Sequence, residues 1–311
     1  FLSRCLESII KATHYPDFEI LIVGDGLPGD QEMLQLLTQT VERPNKPVIR
    51  VTQTKPGANH ACRCNAAIAS STNNLVVLVR EEAQLVQEIW LEELVRACQT
   101  EGVGAVSPLI HQAGDAKILN AGNVLGLYGD IASPYAGMAK LGDAGYLDSL
   151  VISRDVATLP SSCQIVRKDS YLEAGGMDET ELGDHYAEAD LCLKIRKLGQ
   201  RLLVQPRASV VYGGDTSQFN PKNRLEEKIA RMNATQTFRH RWGKVASIDP
   251  YWNPNLSLSH LIPQPETEFR AQWQYLPCDK PRILAHPLGN GQGDFRVVAP
   301  LTAVRKAGLA T

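Results

Sequence analysis

Within the first eighty residues, short apolar β-rich runs alternate with segments of helical periodicity, and this alternation restricts the chain more than any other feature. Phe18-Glu-Ile-Leu-Ile-Val closes in the turn Gly24-Asp25-Gly26-Leu27-Pro28-Gly29-Asp30; a helix is expected from about Gln31 to Val41, a strand at Val48-Ile-Arg-Val-Thr, a helix around Ala58 to Ser70 and a strand at Leu75-Val-Val-Leu-Val. Apolar strands separated by helices build a mostly parallel sheet with helices on both faces, joined by right-handed crossovers. In an open sheet of this kind ligands bind beyond the carboxyl ends of the strands, so Gly24 to Gly26 and Arg80 to Glu82 are the residues to read for chemistry.

Composition narrows the classes further. Of 311 residues, 43% are hydrophobic and 21% charged, enough apolar matter for a sizeable core and too much for a disordered or fibrous chain. The 32 Lys and Arg against 34 Asp and Glu leave a net charge of -2, which excludes a chain devoted to coating nucleic acid. Seven cysteines, none in a C-x-x-C pair, fit neither a disulfide framework nor a structural zinc site, and point to a reducing cytoplasm. The longest apolar run, Leu75 to Val79, is far short of the roughly 20 residues that span a bilayer. No transmembrane segment is therefore expected, and any membrane association would be peripheral. The chain opens without Met inside an amphipathic helix, Leu2 to Thr13, and is read as a fragment.

Farther along, the segment from Gly102 to about Arg154 is rich in Gly and reads as edge strands and loops. A strand is expected at Ser162 to Arg167, a helix at Lys168 to Ala174 ended by Gly175-Gly176, a helix at Ala187 to Leu198 stopped by Gly199, and a strand at Arg201 to Gln205. A long helix of mixed charge runs from about Asn223 to Trp242, and Trp242 is expected to pack rather than to bind. The Pro-rich stretch from Asp249 to Pro281 has the composition of a linker or a wrapping tail. Three units follow: a large α/β domain at 1–245, a tail at 246–280, and at 281–311 the start of a second α/β domain carrying the turn Gly289-x-Gly291-x-Gly293.

The order of several segments is more specific than any one of them. Val23-Gly-Asp-Gly, then Asn65-Ala-Ala-Ile-Ala-Ser-Ser-Thr-Asn-Asn-Leu-Val-Val-Leu-Val-Arg-Glu-Glu, then Gly175-Gly-Met-Asp-Glu and Ala187-Glu-Ala-Asp-Leu-Cys-Leu-Lys-Ile-Arg together resemble family 2 glycosyltransferases of the GT-A fold, from Phe1 to about Trp242. Asp249-Pro-Tyr-Trp-Asn-Pro-Asn-Leu-Ser resembles the tail that follows such domains in bacterial surface-polysaccharide enzymes, and Phe295 to Leu309 resembles the first unit of a GT-B-like glycosyltransferase domain in the same chain. The resemblance implies an α/β GT-A fold, Rossmann-like, with a mixed, mostly parallel sheet. The family's first strand, which precedes the helix that opens this chain, is not found in it.

The resemblance also implies roles. A nucleotide-diphosphate sugar is the donor and a glycan or glycolipid the acceptor, and transfer inverts the anomeric centre. Asp25 falls where the family contacts the base, and Arg63 and Asn65 where a polar helix faces the diphosphate. Arg80, Glu81 and Glu82 stand at the acidic motif that grips ribose and a divalent cation, Mn2+ or Mg2+. Arg80 replaces the first carboxylate there, leaving Glu82 as the metal candidate, and Gly213 stands where many relatives supply a histidine. Two readings follow: Arg80 neutralises the diphosphate directly as a bidentate cation, or the donor site has decayed. An inverting transfer needs a carboxylate to take the acceptor's proton, and Glu188 aligns with that base. Gly175, Gly176, Asp178 and Asp190 lie on the acceptor side, with Asp190 holding the helix start or its loop. The competing class is a non-catalytic GT-A module that binds glycan or positions an adjacent transferase domain. A dehydrogenase fits poorly, because Pro28 and acids stand where a G-x-G-x-x-G turn would greet pyrophosphate.

Overall fold

The computed structural model describes residues 1–24, 47–213, 224–246, 248–267 and 299–306. Asp25, the helix expected at 31–41 and the Gly289 to Gly293 turn lie outside the described residues. Helix α1 (Leu2–Ala12) buries Cys5, Leu6, Ile10 and Ala12 along one side. It leads into β1 (Glu19–Gly24), which pairs in parallel and in continuous register with β2 (Val48–Gln53). Helix α2 (His60–Ser70) then carries the chain to β3 (Leu75–Val79). Arg50 closes this unit by donating to both oxygens of Glu19, at 2.9 and 2.7 Å, and to the carbonyl of Ser70 at the end of α2.

After β3 come β4 (Ala83–Leu85), α3 (Trp90–Cys98) and β5 (Val103–Gln112). Four short strands follow: β6 (Ile118–Asn120), β7 (Val124–Leu125), β8 (Ile131–Ala132) and β9 (Arg154–Asp155). The chain returns through β10 (Cys163–Arg167), α4 (Lys168–Glu173), α5 (Ala187–Lys197) and β11 (Arg201–Tyr212), and α6 (Arg224–Ala246) closes the unit. Seven strands form one sheet along the path β3-β10-β5-β11-β4, with β6 and β9 attached to β5 and β11, while β1 and β2 form a two-stranded sheet of their own. Helix α1 lies over the interruption. Leu6 and Ile10 pack on Ile20 and Ile22 of β1, while Ser8 Oγ accepts from Leu85 N of β4 at 3.0 Å. The sheet is thus interrupted beneath the helix that, in the resemblance, follows the first strand.

The α/β architecture with helices against a central sheet agrees with expectation, and strand direction is where it differs. A mostly parallel sheet is expected, yet within the larger sheet the parallel pairing is β5 with β11, whereas β10 runs antiparallel to β3 and β5, and β4 antiparallel to β11. The cause is the excursion over residues 113–162. It holds short strands instead of a crossover helix, so the chain re-enters as β10 in the opposite sense.

A second difference concerns residues 102–154, expected as edge strands and loops. Their first part, β5, is the middle strand of the sheet and is buried at every position but Gln112. Its sequence hides this, because Gly104, Ala105, Ser107 and Pro108 interrupt the apolar run. The small residues are there for packing: a Cβ on Gly104 would lie 2.6 Å from Ile195 Cγ2 of α5. Pro108 is accommodated at a β-bulge, where the register against β11 passes from Gln205 to Ser209.

The described part of the tail wraps the domain. Asp249, buried, accepts from Leu125 N at 2.8 Å, Leu258 O accepts from Tyr128 N at 2.7 Å, and Leu261 O accepts from Tyr135 N at 2.8 Å. Of the segment expected to start a second domain, a single helix, α7 (Ala299–Lys306), is described.

Candidate active site

Three strands end on one rim. Arg80 follows β3, its N–H donating to Ser162 O and its carbonyl accepting from Ala83 N, so the chain turns at once into β4. Glu81 points to solvent and Glu82 is half-buried. Gly213, just past β11, donates its N–H to Glu82 O at 3.0 Å. The sequence positions aligned with the two metal-ligand sites therefore do meet in space, although one carries no side chain. Between them stands Tyr212: burial pushes its phenol up, and it interacts with both Glu82 and Arg80. Among the described residues the buried Nε of Arg80 has no hydrogen-bond partner.

A divalent cation does not fit the described part of this rim. Among the described residues no three His, Cys, Asp or Glu side chains converge on a point, and Arg80, at the position that the resemblance gives to the first carboxylate, is a cation and no metal ligand. What the rim offers is a guanidinium suited to phosphate oxygens, with the carboxylate of Glu82 near it.

Glu188 stands in the first turn of α5, where the alignment expects a base. Its Oε1 lies 3.2 Å from Nε2 of His60, the first residue of α2, and the two side chains are 10% and 12% exposed. Burial alone raises this carboxyl, but the hydrogen bond and charge of His60, the residue's own backbone N–H and the charge of Arg80 outweigh it, and the net direction is downward. The carboxylate is therefore held ionised close to the guanidinium of Arg80. The turn that starts α5 is fixed by Tyr186, which has a positive φ of 62°, a conformation costly for a bulky residue. Two contacts hold it there: its hydroxyl donates to both oxygens of Asp130, and its ring stacks on Phe238 at 5.0 Å.

Asn65 is not placed for the diphosphate role that the resemblance implies. Its Oδ1 accepts from Tyr171 OH and Met177 N, and its Nδ2 donates to Met177 O and to Glu179 Oε1. All of the amide's capacity is used to clamp the loop that leads to α5. Asn59 assists, donating to Glu179 O at 2.6 Å while capping Cys62 N, and the backbone N–H of His60 donates to Asp184 Oδ1 at 2.6 Å. Arg63 lies partly buried on the same helix. Gly175 and Gly176 both have positive φ, and a Cβ on Gly176 would meet Asn65 Oδ1 at 2.9 Å, so glycine is required beneath the clamp.

Asp178 and Asp190, placed on the acceptor side by the resemblance, share one partner. Arg241 of α6 donates to Asp190 Oδ1 at 2.9 Å, Asp178 Oδ2 at 2.8 Å and Glu181 Oε2 at 2.6 Å. Asp190, fully buried, also accepts from Trp242 Nε1 at 2.8 Å, and Lys194 covers its other oxygen at 2.7 Å. Both carboxylates thus latch the loop and α5 onto α6, and Trp242 packs at 3% exposure, as expected of it. Beside the latch opens a cleft of about 370 Å³ lined by Glu181, Gln236, Thr237, His240 and Arg241.

The latch carries a pH dependence. Burial raises the Asp178 carboxyl, but the backbone N–H groups of Glu181 and Thr180 and the Arg241 guanidinium outweigh it and hold it well below the usual carboxylate range. A group with a depressed folded-state pKa adds stability above its unfolded value of about 3.9 and loses it as pH falls through the folded value. Wild type is expected to melt above Asp178→Asn between about pH 5 and 7, with the gap closing below about pH 3. Melting curves across that range check this; an unchanged gap at the acid end contradicts it.

Sequence reasoning misses His60, Tyr186, Tyr212 and Arg241. For His60 and Arg241 a signal exists in retrospect, a histidine opening the polar helix and an arginine beside a packing tryptophan, but their partners lie far away in the chain.

Comparisons with known proteins place the chain in a family. The family model described as "Glycosyl transferase family 2" matches residues 1–171. An uncharacterized protein, y4gI, of Sinorhizobium fredii is 28% identical over 258 residues, covering 83% of this chain and 28% of that protein. The O-antigen biosynthesis protein RfbC of Myxococcus xanthus is 24% identical over 260 residues, covering 83% of this chain and 19% of that protein. The chain thus spans 28% and 19% of the length of these relatives. Among solved structures, the mannosyltransferase PcManGT from Pyrobaculum calidifontis in complex with GDP-Man and Mn2+ superposes with a TM-score of 0.54 at 15% identity, covering 77% of this chain and 59% of that one. GalNAc-T7 with UDP, GalNAc and Mn2+ gives a TM-score of 0.52 at 14% identity, covering 70% and 42%. Both share the GT-A fold.

Proposed function

From the premise that this chain belongs to glycosyl transferase family 2, we propose that it transfers a sugar, with inversion, from a nucleotide-diphosphate sugar to a glycan or glycolipid acceptor in bacterial cell-surface polysaccharide synthesis. The observation that carries this reading is the convergence of Glu188, His60 and Arg80, from three separate elements, at the ends of the strands. Glu188, ionised at the start of α5, takes the proton of the acceptor hydroxyl as that oxygen attacks the anomeric carbon. Arg80, whose side chain is half-buried at the rim, holds the diphosphate as a cation and stabilises the negative charge that grows on the leaving nucleotide. Asp25, outside the described residues, and Arg63 complete the donor side by the resemblance. The loop from Gly175 to Asp184, clamped by Asn65 and latched by Arg241, forms the acceptor wall. The likeness to an O-antigen biosynthesis protein supports the surface-polysaccharide setting.

No step is routed through a metal, and calorimetry tests this. UDP and GDP are titrated with and without Mn2+ into wild type and Arg80→Ala. Binding is expected without Mn2+ and is expected to weaken by about tenfold or more in the variant, the worth of a charge-assisted hydrogen bond. Binding that needs Mn2+ and ignores Arg80 contradicts the assignment. A second reading, a GT-A module that binds glycan or positions a neighbouring transferase domain without turnover, is favoured by Arg80 and Gly213 at the two ligand positions. It predicts no diphosphate affinity under either condition.

A further inference from the structure

We propose that His60 is a positioning residue for Glu188: by donating its Nε2–H to Oε1 it fixes the orientation of the carboxylate and keeps it ready to accept a proton. This inference rests on Glu188 as the base and adds to it a partner from another helix. Three observations carry it. The contact is 3.2 Å long and both side chains are almost wholly buried, so neither group has water to replace the other. His60 is itself held, its backbone N–H bonded to Asp184 and its ring against Cys64 Sγ, 3.5 Å from Nε2. Asn59, which caps the helix at the preceding position, binds the same loop, so α2 and the approach to α5 are set against each other on both sides of the histidine.

The ionisable groups around the carboxylate come from four elements. His60 and Cys64 lie on α2, Arg80 follows β3, Tyr171 belongs to α4 and Cys192 to α5 itself. Burial drives the thiols of Cys64 and Cys192 up to about 12, so they are neutral across the working range. Tyr171 is pushed up by burial as well. Among the described side chains that leaves His60 and Arg80, together with the residue's own backbone N–H, to favour the ionised form. They differ in kind, since Arg80 acts by charge and His60 by a directed hydrogen bond in addition. Removing His60 takes away the directed part and leaves a buried carboxylate with one of its oxygens unserved, which favours protonation.

The test uses the full chain with carbon-13 labelled Glu carboxyls, the Glu188 resonance being identified by its loss in Glu188→Gln. In His60→Ala the Glu188 carboxyl is expected to titrate at higher pH than in wild type. In His60→Gln, which keeps a donor of similar reach, it is expected to move back toward the wild-type value. Where transfer is measured, the acid limb of the pH profile of kcat/KM shifts upward in His60→Ala by the same interval, so the loss of rate is greatest at low pH and small above neutrality. An unmoved Glu188 titration in both variants overturns the proposal, as does a loss of rate that is uniform across pH. A titration that moves while wild type shows no transfer from any nucleotide sugar leaves the pairing established and rejects the enzymatic reading instead, so the two failures are distinguishable.

Discussion

Glu188→Gln is expected to lower the rate of sugar transfer by about a hundredfold to ten-thousandfold, the usual contribution of a positioned general base, while nucleotide affinity stays within about twofold of wild type. The amide is nearly isosteric and still accepts from His60 Nε2, so α2 and α5 remain in contact and the fold is preserved. What it loses is basicity. An effect confined to kcat says that the carboxylate acts in the transition state, since uniform binding loss would raise KM instead. Steady-state kinetics paired with calorimetry separates these outcomes. Unchanged turnover would remove Glu188 from the mechanism, and equal losses in binding and rate would make it a structural carboxylate of the loop.

The second large effect is on stability. Asp190→Ala is expected to destabilise the domain by about 3 to 5 kcal/mol, the cost of breaking a buried ion pair from one side. Asp190 is fully buried and serves Arg241, Trp242 and Lys194 together, so its removal strands an indole N–H and weakens the hold on a guanidinium. Arg241 would still reach Asp178 and Glu181 at the surface, which keeps the loss from growing further. For a domain of this size the melting temperature should fall by about 6 to 20 °C. Calorimetric or circular-dichroism melting checks it, and a shift under about 2 °C would show that the latch is not a stabilising element.

How far the chain could be read without its structure depends on how local the deciding interactions are. Helix α1, β1, β3 and the two glycines after α4 were legible because each rests on periodicity or on a backbone conformation that one residue type supplies. The central strand β5 was not, because its packing against α5 demands small residues that erase the apolar signal. The direction of β10 was not, because it follows from a long excursion and not from any motif. At the site, the place of Glu188 at a helix start could be inferred, whereas its pairing with His60 depends on two helices far apart in the sequence meeting in space. Asn65 shows the reverse case: its position suggests ligand contact, yet its four hydrogen bonds are all spent within the protein. A polar side chain on a helix that faces a site is read as a binder until its own partners are counted.

Transfer with inversion at the rim formed by Arg80 and Glu188 fixes the configuration of the product. Its most direct test is proton NMR of the anomeric signal of the product, with the full chain supplied a panel of α-linked nucleotide-diphosphate sugars and glycan acceptors. The predicted result is a β-linked product formed by wild type and not by Glu188→Gln. An α-linked product, or a β-linked product formed equally well by the variant, would contradict it.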